Sequence, residues 1–236
     1  WETASKSEQY LDQGWLNSLL PLIGNGKELV KGIVLGDNAF GPFRGATSDV
    51  LVMNNPKQFL RKNAKLETFS QQTGSYKGSL NHILSVENSL SRTIEEIRSK
   101  TKTGKMPSLS NIPKDKVGGS VKTLMTILSS GHFIPVYKIS IGGFDTHTEQ
   151  ANNHKRLLKV LDDTFQSLYT GLNQLKLWDR SMIMTYSEFG RRAKENGSRG
   201  TDHGTANVHF AMGGKIKGGS YGKMPSLKKI AAQGVL

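Results

Sequence analysis

The chain has 236 residues, 36% of them apolar, enough to bury a core within one domain or one domain with an appendage. It has no cysteine, which excludes disulfides, thiolate metal sites and a cysteine nucleophile, and no apolar run of about 18 residues that would span a membrane. A formal net charge of +13 favours anionic partners such as phosphate or sulfate esters, polyanionic glycans or nucleic acid, although a basic, solvated surface accounts for the same excess.

The sequence opens on Trp1 with no signal peptide and closes on Ala-Ala-Gln-Gly-Val-Leu, an apolar run without a clear stop. The expectation is an internal piece of a longer protein: one incomplete α/β domain over residues 1–236 in three stretches. Residues 1–75 are irregular, with short strand-like runs at Ile33-Val34-Leu35 and Val50-Leu51-Val52 between Gly-Pro and Arg-Gly turns. Residues 76–118 combine a helix with a basic, flexible excursion. The helix is predicted over roughly 76–100, where Leu80, Ile83, Leu84, Leu90, Ile94 and Ile97 form one face. The excursion, from 101 to about 119, holds Lys, Ser, Pro and Gly.

From 119 to 236 the pattern is that of an α/β core. Val121, Leu124, Met125 and Leu128 mark a helix ended by Gly131. Ile134 to Ile141 reads as a buried parallel strand. A helix over 148–176 follows, with Leu157, Leu161, Phe165, Leu168 and Leu172 expected to be buried against the sheet and Thr146 with Glu149 available as a capping box. Ser181 to Tyr186 is a second strand. Strand, helix, strand is a βαβ unit, which predicts a mostly parallel sheet in a three-layer α/β/α sandwich. Ligands in such sheets bind beyond the carboxyl ends of the strands, where Asp145, His147 and Glu188 fall.

Three motifs concentrate the chemistry: Gly-Gly-Phe-Asp-Thr-His at 142–147, Ser-Glu-Phe-Gly-Arg at 187–191 and Gly-Thr-Asp-His-Gly at 200–204. Asp145 and His147, two apart in an extended loop, fall on one side and suit a metal ion; a helix N-cap is the alternative. Asp202 and His203 can both reach a metal from a tight turn that Gly200 and Gly204 permit, or can belong to a surface turn. Glu188 is a ligand, a general base or an ion-pair partner of Arg191 or Arg192. The guanidinium of Arg191 could instead hold an anionic ester group. His154 fits a core position or one behind a ligand. His82 and His132 lack acidic neighbours, and His209 fits a strand. The glycines of 213–222 match no phosphate-binding motif and read as turns.

Phe-Asp-Thr-His-Thr-Glu-Gln, Tyr-Ser-Glu-Phe-Gly-Arg and Gly-Thr-Asp-His-Gly-Thr-Ala, followed by Met-Gly-Gly and Gly-Gly-Ser-Tyr-Gly, resemble the bacterial domain-of-unknown-function 1501 family, most strongly over 140–225. That family is similar to the alkaline phosphatase and sulfatase superfamily. The resemblance implies an alkaline phosphatase-like fold, with Asp145, His147 and His203 at the positions of ligands for one metal. Glu188-Phe189 stands where an Asp-His pair is usual, which bears against a second metal. Upstream family motifs that would supply a further ligand and the nucleophile are missing, so no nucleophile is assigned here. The family also implies export by a twin-arginine signal to the periplasm or beyond.

The expected function is metal-dependent hydrolysis of a phosphate or sulfate ester, small-molecule or glycan, with Glu188 and Arg191 as catalytic residues and Asp145, His147, Asp202 and His203 on the metal. Histidine with carboxylate suits Zn²⁺ or Mn²⁺ better than Mg²⁺. Nucleic acid is not the partner expected. The alternative is a non-catalytic envelope protein that binds an anionic glycan or a protein partner.

Overall fold

The computed structural model describes residues 2–4, 9, 11–23, 30–45, 50–55, 94–95, 99 and 105–226. The chain forms two compact units, one comprising Trp1–Ser108 with Ile112–Ser140 and the other Leu109–Asn111 with Ile141–Leu236.

In the first unit the short β-branched runs become strands. β1 (Gly32–Leu35) lies between β2 (Val50–Met53) and β3 (Val136–Ile139), all parallel. Gly32 stands opposite Val50 and Val136, and Leu35 opposite Met53 and Ile139. A strand covered on both faces has to be apolar throughout. β1 meets that demand and is buried along its length, whereas β2 alternates and β3 is half-buried. The short helix α1 (Trp15–Leu19) contributes Leu16, which packs with Leu20, Val34 and Phe43. Asp37, just past β1, ties the ends of β1 and β3 together. Lys138 Nζ donates to Asp37 Oδ2 at 2.9 Å and to Ala39 O at 2.8 Å, and Ser140 Oγ donates to Asp37 Oδ2 at 2.7 Å. Burial raises the Asp37 pKa, but the bonds from Ser140, Lys138 and the Ala39 N–H outweigh it and hold the carboxyl well below its ordinary range.

α2 (Lys116–Ser129) begins earlier than the sequence pattern predicts, since Lys116–Gly119 form its first turn and are not part of the basic excursion. Asp115 is the reason. Its Oδ1 accepts from the N–H groups of Val117 and Gly118 at 3.0 and 3.3 Å, a cap that offsets the low helix propensity of two successive glycines. Gly131, with φ of 77°, takes the left-handed position past the last turn, as expected of a helix-ending glycine. The helix expected over 76–100 lies outside the described residues except for 94, 95 and 99, which are helical, with Ile94 buried.

The second unit is built on α3 (Gln150–Gln174). Of the five apolar residues expected to be buried, Leu157, Leu168 and Leu172 are buried, but Leu161 and Phe165 are only half-buried. The buried stripe runs instead through Thr164, Ser167 and Gly171. Their smallness lets neighbours approach, and the hydroxyls are satisfied by Val160 O at 2.7 Å and Ser110 O at 3.0 Å. The capping box does not form. Glu149 enters the helix in the left-handed region (φ 47°), and the N–H groups of Glu149 and Gln150 donate to the carbonyls of Ser198 and Arg199. A loop from elsewhere in the chain does the capping, which leaves Thr146 free for another partner.

The expected second strand of a βαβ unit, Ser181–Tyr186, does not join the parallel sheet. Only β4 (Ile183–Met184) is laddered, antiparallel to β7 (Ala211–Met212). The N–H of Thr185 donates to Phe210 O, and the N–H of Phe210 donates to Thr185 Oγ1. A parallel strand needs cover on both faces, and here Met182, Met184 and Tyr186 are exposed on one. β5 (Gly190–Arg191) and β6 (His203–Gly204) form a further antiparallel pair. His209 precedes β7 and is exposed, outside any strand. The architecture is thus α/β, with a three-stranded parallel sheet and three helices among the described residues. None of the described helices is long and apolar enough to cross a membrane.

Candidate metal centre

Three segments of the second unit meet at one place: the loop 142–147, β5, and the loop 200–204 that runs into β6. In the β5–β6 pair Arg191 faces His203 and Gly190 faces Gly204. The approach is close enough that a Cβ on Gly204 would lie 2.6 Å from the Arg191 carbonyl. A Cβ on Gly200 would lie 2.2 Å from the carbonyl carbon and oxygen of His147. The two glycines of Gly-Thr-Asp-His-Gly are therefore there to let backbones touch. The N–H of Thr201 donates to Thr146 O at 3.3 Å. Asn196 gathers the loop: its Oδ1 accepts from the N–H groups of Ser198 and Gly200, and its Nδ2 donates to His147 O at 2.9 Å.

Asp145 and His147 lie on one side of their loop because Thr146 between them turns inward. Thr146 is buried, and its Oγ1 is 2.9 Å from His154 Nε2. His154 in turn meets the edge of Phe144 at 5.7 Å between ring centroids. His154 therefore supports the residue between two candidate ligands. Asp145 Oδ1 is the point of convergence, with His203 Nε2 at 2.8 Å, His147 Nε2 at 3.0 Å and Arg191 Nη2 at 2.7 Å. The bond from His203 draws the Asp145 carboxyl below its ordinary range; desolvation opposes this, and Arg191 and the imidazole charges add to it. Asp145 is thus an ionised acceptor at neutral pH. The ring of His203 stacks on Phe189 with centroids 3.7 Å apart and planes 11° from parallel.

The residues singled out in the sequence separate into different positions. Ligand atoms of Asp145, His147 and His203 all lie within 4.8 Å of one another. Asp202 stands behind this group, its Oδ1 3.4 Å from the far ring nitrogen, Nδ1, of His147 and its Oδ2 3.8 Å from Arg192. Arg191 points its fork at protein atoms: Nη1 donates to Thr201 O, and Nη2 to Phe144 O and Asp145 Oδ1. Glu188 sits exposed at a bend after β4 and is not in the converging group. His132 belongs to the first unit, with Nδ1 3.1 Å from Ser130 Oγ, and His82 is outside the described residues. Phe189 and Asn196 were not legible as site residues; the Asn-Gly pair at 196–197 marks a turn but not what the turn supports.

The three donors fit a small divalent cation. Atoms around a tetrahedral ion at zinc's bond lengths lie about 3.3 Å apart; the two imidazole nitrogens stand 2.8 and 3.0 Å from Asp145 Oδ1, near that spacing, and all three donors lie within 4.8 Å of one another. A carboxylate with two imidazoles is a donor set for Zn²⁺ or Mn²⁺ in preference to Mg²⁺. Among the described residues three side chains converge in this way.

No curated protein and no solved structure matches the chain significantly. The model of one family does match, over residues 2–235, and the chain therefore belongs to the family described as protein of unknown function (DUF1501).

Proposed function

We propose that Asp145, His147 and His203 hold one divalent cation, zinc or manganese, and that the site serves hydrolysis of a phosphate or sulfate ester. The convergence of one carboxylate oxygen and two imidazole nitrogens carries this reading. A cation bound there would polarise the ester oxygen and stabilise the charge that develops on it. The chain's own residues prepare the place. Asp145 brings one negative charge. His147 and His203 bring neutral nitrogen ligands once their Nε2 atoms are deprotonated. Asp202, beside Nδ1 of His147, favours the tautomer with its proton on that nitrogen. The formal excess of 13 positive charges favours approach of an anionic ester, small-molecule or glycan. Glu188, exposed and outside the ligand group, is the candidate general base, and it requires a substrate that extends toward the bend it occupies. The motif resemblance supports the finer fold, an alkaline phosphatase-like three-layer sandwich, and export to the periplasm.

The test is calorimetric titration with Zn²⁺ and Mn²⁺, then a screen of aryl phosphates and aryl sulfates on the loaded protein. One equivalent of metal should bind, His147→Ala should abolish binding, and ester cleavage should depend on the metal. Metal binding unchanged in His147→Ala would overturn the centre. Tight metal binding without turnover, together with retention on a sulfated glycan column, would replace hydrolysis by the envelope-binding alternative.

A further inference from the structure

Arg191 does not have the surroundings of a residue that holds a substrate anion. Its side chain is 13% exposed. Both terminal nitrogens are taken by oxygens of the protein: Thr201 O at 2.6 Å from Nη1, and Phe144 O at 2.6 Å and Asp145 Oδ1 at 2.7 Å from Nη2. The guanidinium carbon lies 5.1 Å from the centroid of Phe189, the ring that stacks on His203. The Arg191 backbone is laddered opposite His203 itself. One residue therefore touches both loops that carry the candidate ligands: by its fork the loop of Asp145 and His147 and the carbonyl just before Asp202, and by its main chain the strand of His203.

We propose that Arg191 is a positioning residue that fixes the two ligand-bearing loops in register, acting on the cation only through Asp145 and His203. The planar fork is what the task requires. Three oxygens from two loops are met by two nitrogens in one plane, while the guanidinium carbon lies 5.1 Å over the Phe189 ring. An ammonium on a flexible stem offers the same charge without that geometry. The positive charge also faces the Asp145 carboxylate and shares Oδ1 with both imidazoles, so the clamp adds a third partner, at 2.7 Å, to the orientation in which Oδ1 faces His147 and His203. The inference rests on the metal-centre reading for its binding readout but not for its structural one.

The experiment uses the whole chain with Arg191→Lys, Arg191→Ala and, as reference, His147→Ala. Zn²⁺ affinity is measured by calorimetry. In the metal-free proteins, the ring nitrogens of His147 and His203 are followed by long-range ¹⁵N–¹H correlation. Both Arg191 variants should lose about 10–100-fold in affinity, the usual consequence of removing support behind a ligand. Millimolar guanidinium should restore affinity and histidine ring shifts in Arg191→Ala and leave wild type unchanged. Arg191→Lys binding within twofold of wild type would show that charge alone suffices and overturn the proposal. So would a folded Arg191→Ala that guanidinium does not rescue. If His147→Ala leaves Zn²⁺ binding intact, the metal reading fails, and the ring shifts then decide: unchanged in Arg191→Ala, they overturn the clamp; displaced and rescued by guanidinium, they uphold it.

Discussion

Leu157 and Leu158 are neighbours on α3 with opposite surroundings, 3% and 52% exposed. Leu157 lies under the ligand loop, where its Cδ atoms are 3.5 and 3.7 Å from the position of a Cβ on Gly143. Leu157→Ala removes three carbon atoms from a packed site. At about 0.8 kcal/mol per buried methylene, the transfer contribution is about 2.4 kcal/mol. A residual cavity adds to it, within the usual span of about 2–5 kcal/mol. Leu158→Ala removes the same atoms from a half-solvated position and should cost no more than about 0.5 kcal/mol. Urea unfolding followed by far-ultraviolet circular dichroism measures both. At a slope of about 2 kcal/mol per molar, the Leu157 variant should move the midpoint by about 1.2 M or more, while the Leu158 variant should hardly move it. Equal shifts, or a Leu157 loss below about 0.5 kcal/mol, would refute the orientation of α3 that places the loop.

Three further outcomes are expected. Asp37→Asn should destabilise the protein at neutral pH by about 1–2 kcal/mol, because Lys138 and Ser140 lose a partner that is partly open to solvent. The folded-state pKa of Asp37 is depressed, so its stabilisation is present above the unfolded value of about 4 and is lost as pH falls below it. The gap between variant and wild type in thermal unfolding should narrow through that acid range, and a gap independent of pH would contradict the pairing. Gly200→Ala should lower Zn²⁺ affinity about tenfold or more, since the new methyl would meet the His147 carbonyl at 2.2 Å; calorimetry showing wild-type affinity would mean that the loop has room to move. Thr146→Val should weaken Zn²⁺ binding by freeing His154 while keeping the residue's size, and unchanged affinity would show that the 2.9 Å contact has no bearing on the ligands.

Much of the candidate site could be read without coordinates. The spacing of two between Asp145 and His147 already puts both side chains on one side if the chain is extended, and the structure brings them together at a turn, where the Thr146 N–H donates to Phe144 O at 3.0 Å. Gly200 and Gly204 flag a close approach wherever the chain goes, because only glycine permits it. The short runs at 33–35, 50–52 and 134–141, rich in Val and Ile, contain the strands Gly32–Leu35, Val50–Met53 and Val136–Ile139 to within two residues at each end, since such residues favour the pleated backbone. Other features depended on partners far away in sequence. The start of α3 is capped by the carbonyls of Ser198 and Arg199, so Thr146 and Glu149 do not form the local box that their spacing permits. Ser181–Tyr186 has the composition of a buried strand, but pairing is decided by which segment returns to it, and Asn207–Met212 returns antiparallel.

The division of roles among the polar residues was also a tertiary matter. Asp202 and His203 are adjacent in sequence, yet one contributes to the converging group and the other stands at the back of His147, because successive side chains leave an extended backbone on opposite sides. Arg191 could have faced solvent, Glu188 or a substrate; only the meeting of Phe144, Asp145 and Thr201 around its fork turned it toward the protein. The sequence by itself determined which residue types were available and their local direction. The tertiary structure decided which of them share an oxygen, because a contact between residues 46 and 58 positions apart, as Asp145 has with Arg191 and His203, is set by loop closure and packing and not by any local pattern.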